Sequence, residues 1–207
     1  MPSSAKEDYL KAIYELEEEA NVAKTTKLAG KLGISAATVS EMIQRLSKES
    51  PQLILYKHHQ GVRLTPKGRV KALEIIRKHR LLELFLHQTL GLSWEEVHEE
   101  AEVLEHHLSA RVTEAIDRHL NYPQYDPHGE PIPDANGHIA VQPQTRLTQV
   151  EAGQRFRILC VNPVSQELLA YLKSLRIGIH TRGCLISKSP LEGPVTVSIE
   201  DGELTIK

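Results

Sequence analysis

Residues 122–146, YPQYDPHGEPIPDANGHIAVQPQTR, constrain this chain more than any other stretch. Proline has no amide hydrogen and clashes with the preceding turn, so no helix persists through such a segment. The segment divides two opposite patterns. Before it, apolar residues recur at helical spacing; after it, they alternate in short runs. A linker is therefore placed here, ending near residue 145. The chain reads as α+β: a helical N-terminal part, this linker, and a small C-terminal sheet domain over 146–207.

The helical part has internal punctuation. Residues 4–19 place Tyr9, Leu10, Ile13, Tyr14 and Leu16 on one helical face. Thr25 or Thr26 opens a short helix through Leu28, Ala29 and Leu32, which Gly33 ends. Ser35 caps the next helix, with Val39, Met42, Ile43 and Leu46 inward. Helix, glycine turn and helix within about 25 residues is the helix-turn-helix pattern. Leu53 and Leu55, then Val62 and Leu64, bracket a polar tip from His58 to Gly61, which predicts a β-hairpin wing. Residues 1–70 thus form a winged helix-turn-helix. Over 71–140 the expectation is a helical domain with the Pro-rich linker. Thr65 and Pro66 open a long helix to about Leu90, Ser93 with Glu96 opens one to about Leu108, and Ser109 opens one ending near Asn121. In the last 60 residues a short helix from about Ser165 to Leu175 interrupts the strands. Short strands with turns predict a small, partly open barrel.

The 207 residues carry a net charge of −2, which hides a polarised chain. Residues 1–70 hold 11 basic and 8 acidic side chains, 71–140 hold 6 and 13, and 141–207 hold 8 and 6. The basic excess of the first segment suits phosphate contacts. No run approaches the roughly 18 apolar residues of a membrane span. The first residues show no apolar signal region, so a cytoplasmic location is expected. Cys160 and Cys184 make no CxxC pair and no disulfide framework.

In a winged helix-turn-helix, the start of the second helix enters the major groove. That places Ser35, Ala36, Ala37, Thr38, Ser40 and Glu41 near base edges, with Lys27, Arg45 and Arg63 among the residues able to reach phosphates. No arginine stands at the start of this helix, which argues against strong guanine readout there. A tri-helical unit can also serve protein binding, and that reading stays open.

The middle segment concentrates carboxylates and histidines. In HEEAEVLEHH, residues 98–107, Glu102 and Glu105 are i, i+3, and Glu102 and His106 are i, i+4. Both spacings put side chains on one helix face. Two carboxylates and an imidazole there favour a first-row divalent cation, with a fourth ligand from elsewhere. His79 and Glu83 are also i, i+4, and with His98 they suggest a second cluster. A solvated helix face is the competing explanation of such runs. The other histidines, His128 among them, read as structural or exposed. A hydrolytic metalloenzyme is a different use of the same ligands, but no HExxH motif appears.

The stretches EDYLKAIYELEEE, SAATVSEMIQRL, GVRLTPKGR, RKHRLLELFL, GLSWEEVHEEAEVLEHHLS and DPHGEPIP together resemble the diphtheria-toxin-repressor family of metal-dependent transcriptional regulators, over essentially the whole chain. The resemblance implies a primary regulatory site of Asp8, Glu102, Glu105 and His106. It implies an ancillary site of His79, Glu83 and His98, completed from the third domain, for which Glu167 is the first candidate, with Ser165 and Gln166 next. It places Ser35, Ala37, Thr38, Ser40 and Glu41 at DNA. It further implies a homodimer built by the long helix and the two after it, an SH3-like C-terminal domain resembling ferrous-transport accessory domains, palindromic operator DNA as partner, repression of metal-uptake genes, and no catalytic residue or small-molecule substrate. Iron-type members carry Met and Cys where this chain has Asp8 and Glu102. Hard carboxylates in place of soft sulfur favour Mn²⁺ over Fe²⁺, with an iron-dependent repressor of iron uptake by the same mechanism as the alternative. Lys11 stands where short manganese regulators use a glutamate for a paired metal site, so two separate sites per subunit are expected. Without metal, Asp8, Glu102 and Glu105 would repel one another and leave the first helix loosely held.

Overall fold

The computed structural model describes residues 3–140, 145–161, 166–189, 193–199 and 202–206. The first unit comprises α1 (Ser3–Ala20), α2 (Thr25–Leu32), α3 (Ala36–Leu46), β1 (Ile54–Lys57) and β2 (Gly61–Leu64). Gly33 takes φ +65, the left-handed conformation that ends α2. Ser35 accepts a hydrogen bond from the Thr38 amide and starts α3. β1 and β2 pair antiparallel with Ile54 opposite Leu64. Ala23 and Val62 exchange backbone hydrogen bonds of 3.1 and 2.9 Å, fixing the wing against the turn after α1.

α4 (Pro66–Gln88) is the spine. At 1.5 Å per residue its 23 residues span about 34 Å, enough to serve two cores. Its first turns give Ala72, Leu73, Ile75 and Ile76 to the winged-helix core, with Leu10, Ile13, Leu28, Ile43 and Ile54. Leu81, Leu82 and Leu84 join a second core with Ala101 of α5 (Val97–Leu104), Ile116 of α6 (Ala110–His119) and Ile132. The two cores therefore meet on α4 between Ile76 and Leu81. Arg77 pairs with Asp117 at 2.6 Å and fastens α4 to α6.

The C-terminal unit is an antiparallel sheet in chain order, β3 (Arg155–Arg157), β4 (Arg182–Lys188), β5 (Val195–Ile199) and β6 (Gly202–Ile206), with α7 (Gln166–Ser174) between β3 and β4. Its core includes Leu172, Ile177, Leu185 and Val197, and Trp94 packs on it from the turn before α5.

Two expectations need correction. The stretch 122–139 contains no helix, but it is a strap and not a detached linker. Its backbone is satisfied by side chains, as proline-rich chain requires. Asp126 accepts from the amides of His128 and Glu130, and Asp134 accepts from those of Asn136 and His138. Arg77 and Arg80 of α4 donate to the Pro133 and Pro131 carbonyls at 3.1 and 2.6 Å. The Val161 amide donates to the His128 carbonyl, so the strap also holds the C-terminal unit. Second, α5 is shorter than expected. Ser93 opens only a turn, and α5 ends at Leu104.

Gly129 is the tightest point of the strap. It takes φ +84, and a β-carbon there would lie 1.9 Å from the Leu159 carbonyl oxygen. Gly129→Ala combines left-handed strain with a clash against backbone, so a loss of about 2–5 kcal/mol is expected. Limited proteolysis should release the C-terminal unit from this variant before the helical part is cut. Unchanged proteolysis and melting would contradict this packing.

Candidate metal centre

Four elements converge between α1 and the middle of α4. α1 supplies Glu7, Asp8 and Lys11, and α4 supplies His79 and Glu83 one turn apart on its buried side. α5 supplies His98 and Glu102, with Glu105 at its C-cap and His106 just beyond. The strap supplies Asp126 and His128. Four groups of three potential ligands result: Asp8–Glu105–His106, His79–Glu83–His98, His79–Glu102–Glu105 and Glu83–Asp126–His128. Within each, the ligand atoms lie within 4.8 Å of one another. An open cleft of about 710 Å³ reaches Asp8, Lys11, His79, Glu83, His98 and Glu102.

The expected primary quartet assembles in part. His106 Nε2 lies 2.9 Å from Asp8 and 3.7 Å from Glu105, while its Nδ1 lies 2.8 Å from Glu7. Glu102 does not join these three residues. Helical spacing would align it with His106, but the helix stops at Leu104, and the His107 amide donates to the Leu104 carbonyl in a tighter turn. Glu102 instead accepts from the Lys11 ammonium at 2.7 Å. Burial raises the Asp8 pKa, with His106 opposing and Glu102 and Glu105 adding to the rise. For Glu102, burial also acts upward, but Lys11 and His79 outweigh it and hold the carboxyl below its ordinary value.

The second cluster has two buried members, His79 and Glu83, and a half-buried one, His98. His79 Nε2 and His98 Nδ1 lie 3.0 and 2.9 Å from the same Glu83 oxygen. His79 Nδ1 lies 2.6 Å from Glu105. Glu83 is 1 % and Glu105 0 % exposed, so neither carboxylate is tolerable without a positive partner. Burial and Lys11 act downward on His79, but Glu83 and Glu105 prevail and raise its pKa to about 9. Burial acts upward on Glu83, and His79, His128 and His98 reverse it, holding its pKa well below the usual carboxylate range.

Glu83 also faces the strap. His128, 0 % exposed, has Nε2 3.0 Å from the Trp94 carbonyl, so that nitrogen is the donor. Among the described residues its Nδ1 has no hydrogen-bond partner, and it sits 3.7 Å from Glu83, too far for a hydrogen bond. A buried imidazole lone pair facing a carboxylate calls for a positive charge between them, a proton or a metal ion. Burial, with Glu83 and Glu130, pushes the Asp126 pKa up to about 7. The donors present, imidazole nitrogens and carboxylate oxygens, fit a hard-to-borderline divalent ion.

Among the described residues, Glu167 joins none of the four groups. It lies exposed in the first turn of α7 beside Gln166, while Asp126 and His128 stand next to Glu83. Ser165 lies outside the described residues. Sequence reasoning missed Asp126, His128 and the hub position of Lys11. His128, expected to be structural or exposed, is fully buried within a ligand group. The available signal was Asp-Pro-His-Gly: two ligand types two residues apart, before a glycine.

On the nucleic-acid side, Ala37, Thr38 and Glu41 are exposed at the start of α3, and Lys27, Arg45 and Arg63 are exposed around it. Three hydroxyls are already engaged. Ser35 caps the helix and meets Thr38 Oγ1 at 2.8 Å, and Ser40 donates to the Ala36 carbonyl at 2.8 Å.

Comparison with known proteins follows the same partition. Family models for the iron dependent repressor N-terminal DNA binding domain, the iron dependent repressor metal binding and dimerisation domain, and the FeoA domain match residues 1–62, 65–134 and 145–207. The iron-dependent repressor IdeR of Mycobacterium tuberculosis is 37 % identical over 155 residues, 71 % of this chain and 66 % of that protein. The chain thus matches just under two thirds of the length of IdeR. The HTH-type transcriptional regulator MntR of Geobacillus kaustophilus is 36 % identical over 126 residues, 61 % of this chain and 87 % of its own. A manganese-dependent transcriptional repressor solved in complex with manganese superposes with a TM-score of 0.89 at 37 % identity, over 97 % of this chain and 93 % of that one.

Proposed function

This chain belongs to the diphtheria-toxin-repressor family of metal-dependent transcriptional regulators, and on that premise we propose that it is a cytoplasmic, homodimeric repressor whose grip on operator DNA depends on a divalent metal ion, Mn²⁺ in preference to Fe²⁺. The family is one of regulators and not of enzymes, so the hydrolytic reading is set aside.

The observation that carries the proposal is the seam between α1 and α5. Asp8 lies on the first helix of the winged unit, whereas Glu105 and His106 lie at the end of α5. A divalent ion shared by these three side chains would supply the positive charge that couples the DNA-reading unit to the helical domain. Coupling of this kind is typically about 1–3 kcal/mol and reciprocal between metal and DNA. Asp8, Glu105 and His106 form the proposed primary site. Glu83 and His98 with His79, and Asp126 and His128 from the strap, form the proposed ancillary region, giving two sites per subunit. The Lys11 ammonium of α1 pairs with Glu102 and Glu105, so a cation of the winged unit already offsets two of these carboxylates. Homodimerisation is proposed from the family, and Leu90, Val103, Val112 and Tyr122 are large apolar side chains exposed on the helical domain. Among the described residues, no helix is long and apolar enough to cross a membrane.

The test is fluorescence anisotropy with chelated protein, a palindromic duplex and titrated Mn²⁺, anaerobic Fe²⁺ or Zn²⁺. Metal-dependent tightening is expected, with Mn²⁺ effective. Equal binding with and without every metal would overturn the proposal. Asp8→Met, which trades a hard oxygen for sulfur, should shift the preference from Mn²⁺ toward Fe²⁺. An unchanged metal ranking would remove Asp8 from the ligand set.

A further inference from the structure

β3 is a terminal strand of the C-terminal sheet, with β4 on one side only. Its register sets Arg155 opposite Cys184, Phe156 opposite Gly183 and Arg157 opposite Arg182. The bonds that flank the strand show which residues face β4. The Leu185 amide donates to the Gln154 carbonyl, and the Ile158 amide donates to the Thr181 carbonyl. In an antiparallel ladder such residues alternate. Gln154, Phe156 and Ile158 therefore turn their backbone groups to β4, and Arg155 and Arg157 turn theirs outward. Among the described residues these outward groups have no hydrogen-bond partner. The same edge is used farther along, where the Val161 amide donates to the His128 carbonyl of the strap.

The two faces of β3 differ. Phe156 lines an apolar groove of about 710 Å³, together with Leu147, Val150, Ile158, Leu172 and Ile206. Arg155 and Arg157 are exposed on the opposite face, with Arg182 exposed beside them. Arg157 and Arg182 form a non-hydrogen-bonded pair, the closer kind, and like charges directly opposite destabilise a sheet. Among the described residues none of these three arginines meets a carboxylate, whereas Arg69, Arg77 and Arg80 of α4 each do. We propose that this edge takes an extended segment of a partner protein as an added strand, with acidic residues opposite Arg155 and Arg157 and an apolar residue between them, opposite Phe156.

In strand addition, main-chain bonds supply affinity and alternate side chains supply specificity. The period of two sends the middle residue of the incoming segment toward the groove and its neighbours toward the arginines. Carboxylates there accept from the guanidinium forks and offset the Arg157–Arg182 repulsion. A second copy of this chain fits the edge poorly. Antiparallel pairing of β3 with itself sets arginine against arginine, and charge on an edge strand is a device against such pairing. A nucleic-acid backbone would suit the arginines but would leave the groove and the strand edge unused.

The edge lies outside the four ligand groups, so its test does not depend on the metal reading. The full-length protein is titrated into a fluorescein-labelled peptide that alternates glutamate and valine. A control peptide has the same composition with its valines grouped at one end. Saturable binding of the alternating peptide is expected. The control peptide, and the Arg155→Glu/Arg157→Glu variant with the alternating peptide, should each bind at least about tenfold more weakly. Amide hydrogen exchange on the wild type reads the geometry directly. The Arg155 and Arg157 amides should slow when the alternating peptide is added, whereas the Phe156 amide, already turned to β4, should not change. Should the double variant not fold, this exchange measurement still decides. No saturable binding would overturn the inference, as would unchanged exchange at Arg155 and Arg157. Equal binding of the two peptides would reduce the face to general attraction for anions, nucleic acid included, and would also overturn it.

Discussion

Glu105→Ala should abolish the metal response of DNA binding and destabilise the chelated protein by about 3 kcal/mol. Glu105 is the residue on which both effects meet. Its carboxylate is fully buried and touches the Lys11 ammonium at 2.9 Å and His79 at 2.6 Å. It also lies 3.7 Å from His106, on the Asp8 side. Truncation removes a ligand from the proposed primary site and leaves two buried cationic groups short of a partner. Glu102 keeps one contact to Lys11, which places the cost at the low end for a broken buried pair. Anisotropy with and without Mn²⁺, alongside denaturant melts, reads both effects. Retained metal-dependent tightening would exclude Glu105 as a ligand. Retained stability would mean the charge network is weaker than its distances indicate.

Raising the pH from about 6.5 to 9 should lower the stability of the metal-free protein by about 1–3 kcal/mol. The sign follows from His79. Its folded pKa, about 9, exceeds the model-peptide value of 6.5, so the folded state holds a proton that the unfolded state releases. That contribution is complete below about 6.5 and is lost as pH rises through 9. Asp126 acts in the same direction over a lower range. Its pKa, raised from 3.8 to about 7, makes the folded state the better proton binder, and stability falls as pH climbs through that interval. Glu83 is depressed, so its contribution is lost only on acidification, below this window. Lys11 is raised from 10.5, above it, because Glu105 and Glu102 outweigh burial. Thermal melts of chelated protein at the two pH values test this, and His79→Gln should flatten the profile. Metal binding should run the other way, strengthening with pH, because a metal ion competes with protons for imidazole and carboxylate. A flat stability profile in the wild type would mean that His79 is not held charged.

Local chemistry made most of the architecture legible. Gly33, Ser35, Thr65 with Pro66, and Ser109 act at or next to the helix ends they mark, because each supplies a conformation or an acceptor that a helix terminus needs. The pair His79 and Glu83 was legible because i, i+4 within a long helix fixes a shared face. The same rule failed for Glu102 and His106, since it assumes helix up to residue 106 and the chain turns after Leu104. The partner that captures Glu102 comes from α1, 91 residues away, and no local pattern specifies such a contact. Asp126 and His128 were hidden for another reason. Proline-rich sequence reads as loose chain, but aspartate side chains can satisfy a backbone that lacks regular secondary structure, and a strap so satisfied can place a buried histidine.

Trp94 gives the molecule an optical reporter. It is the only tryptophan in the chain, and its indole stacks on His128 with ring centroids 5.6 Å apart. The same ring packs on the C-terminal core, and among the described residues its buried Nε1 has no hydrogen-bond partner. Emission from this one chromophore therefore originates where helical domain, strap and C-terminal sheet touch. Light at a single wavelength can follow the seating of the third unit while a labelled duplex, in the same cuvette, follows the first.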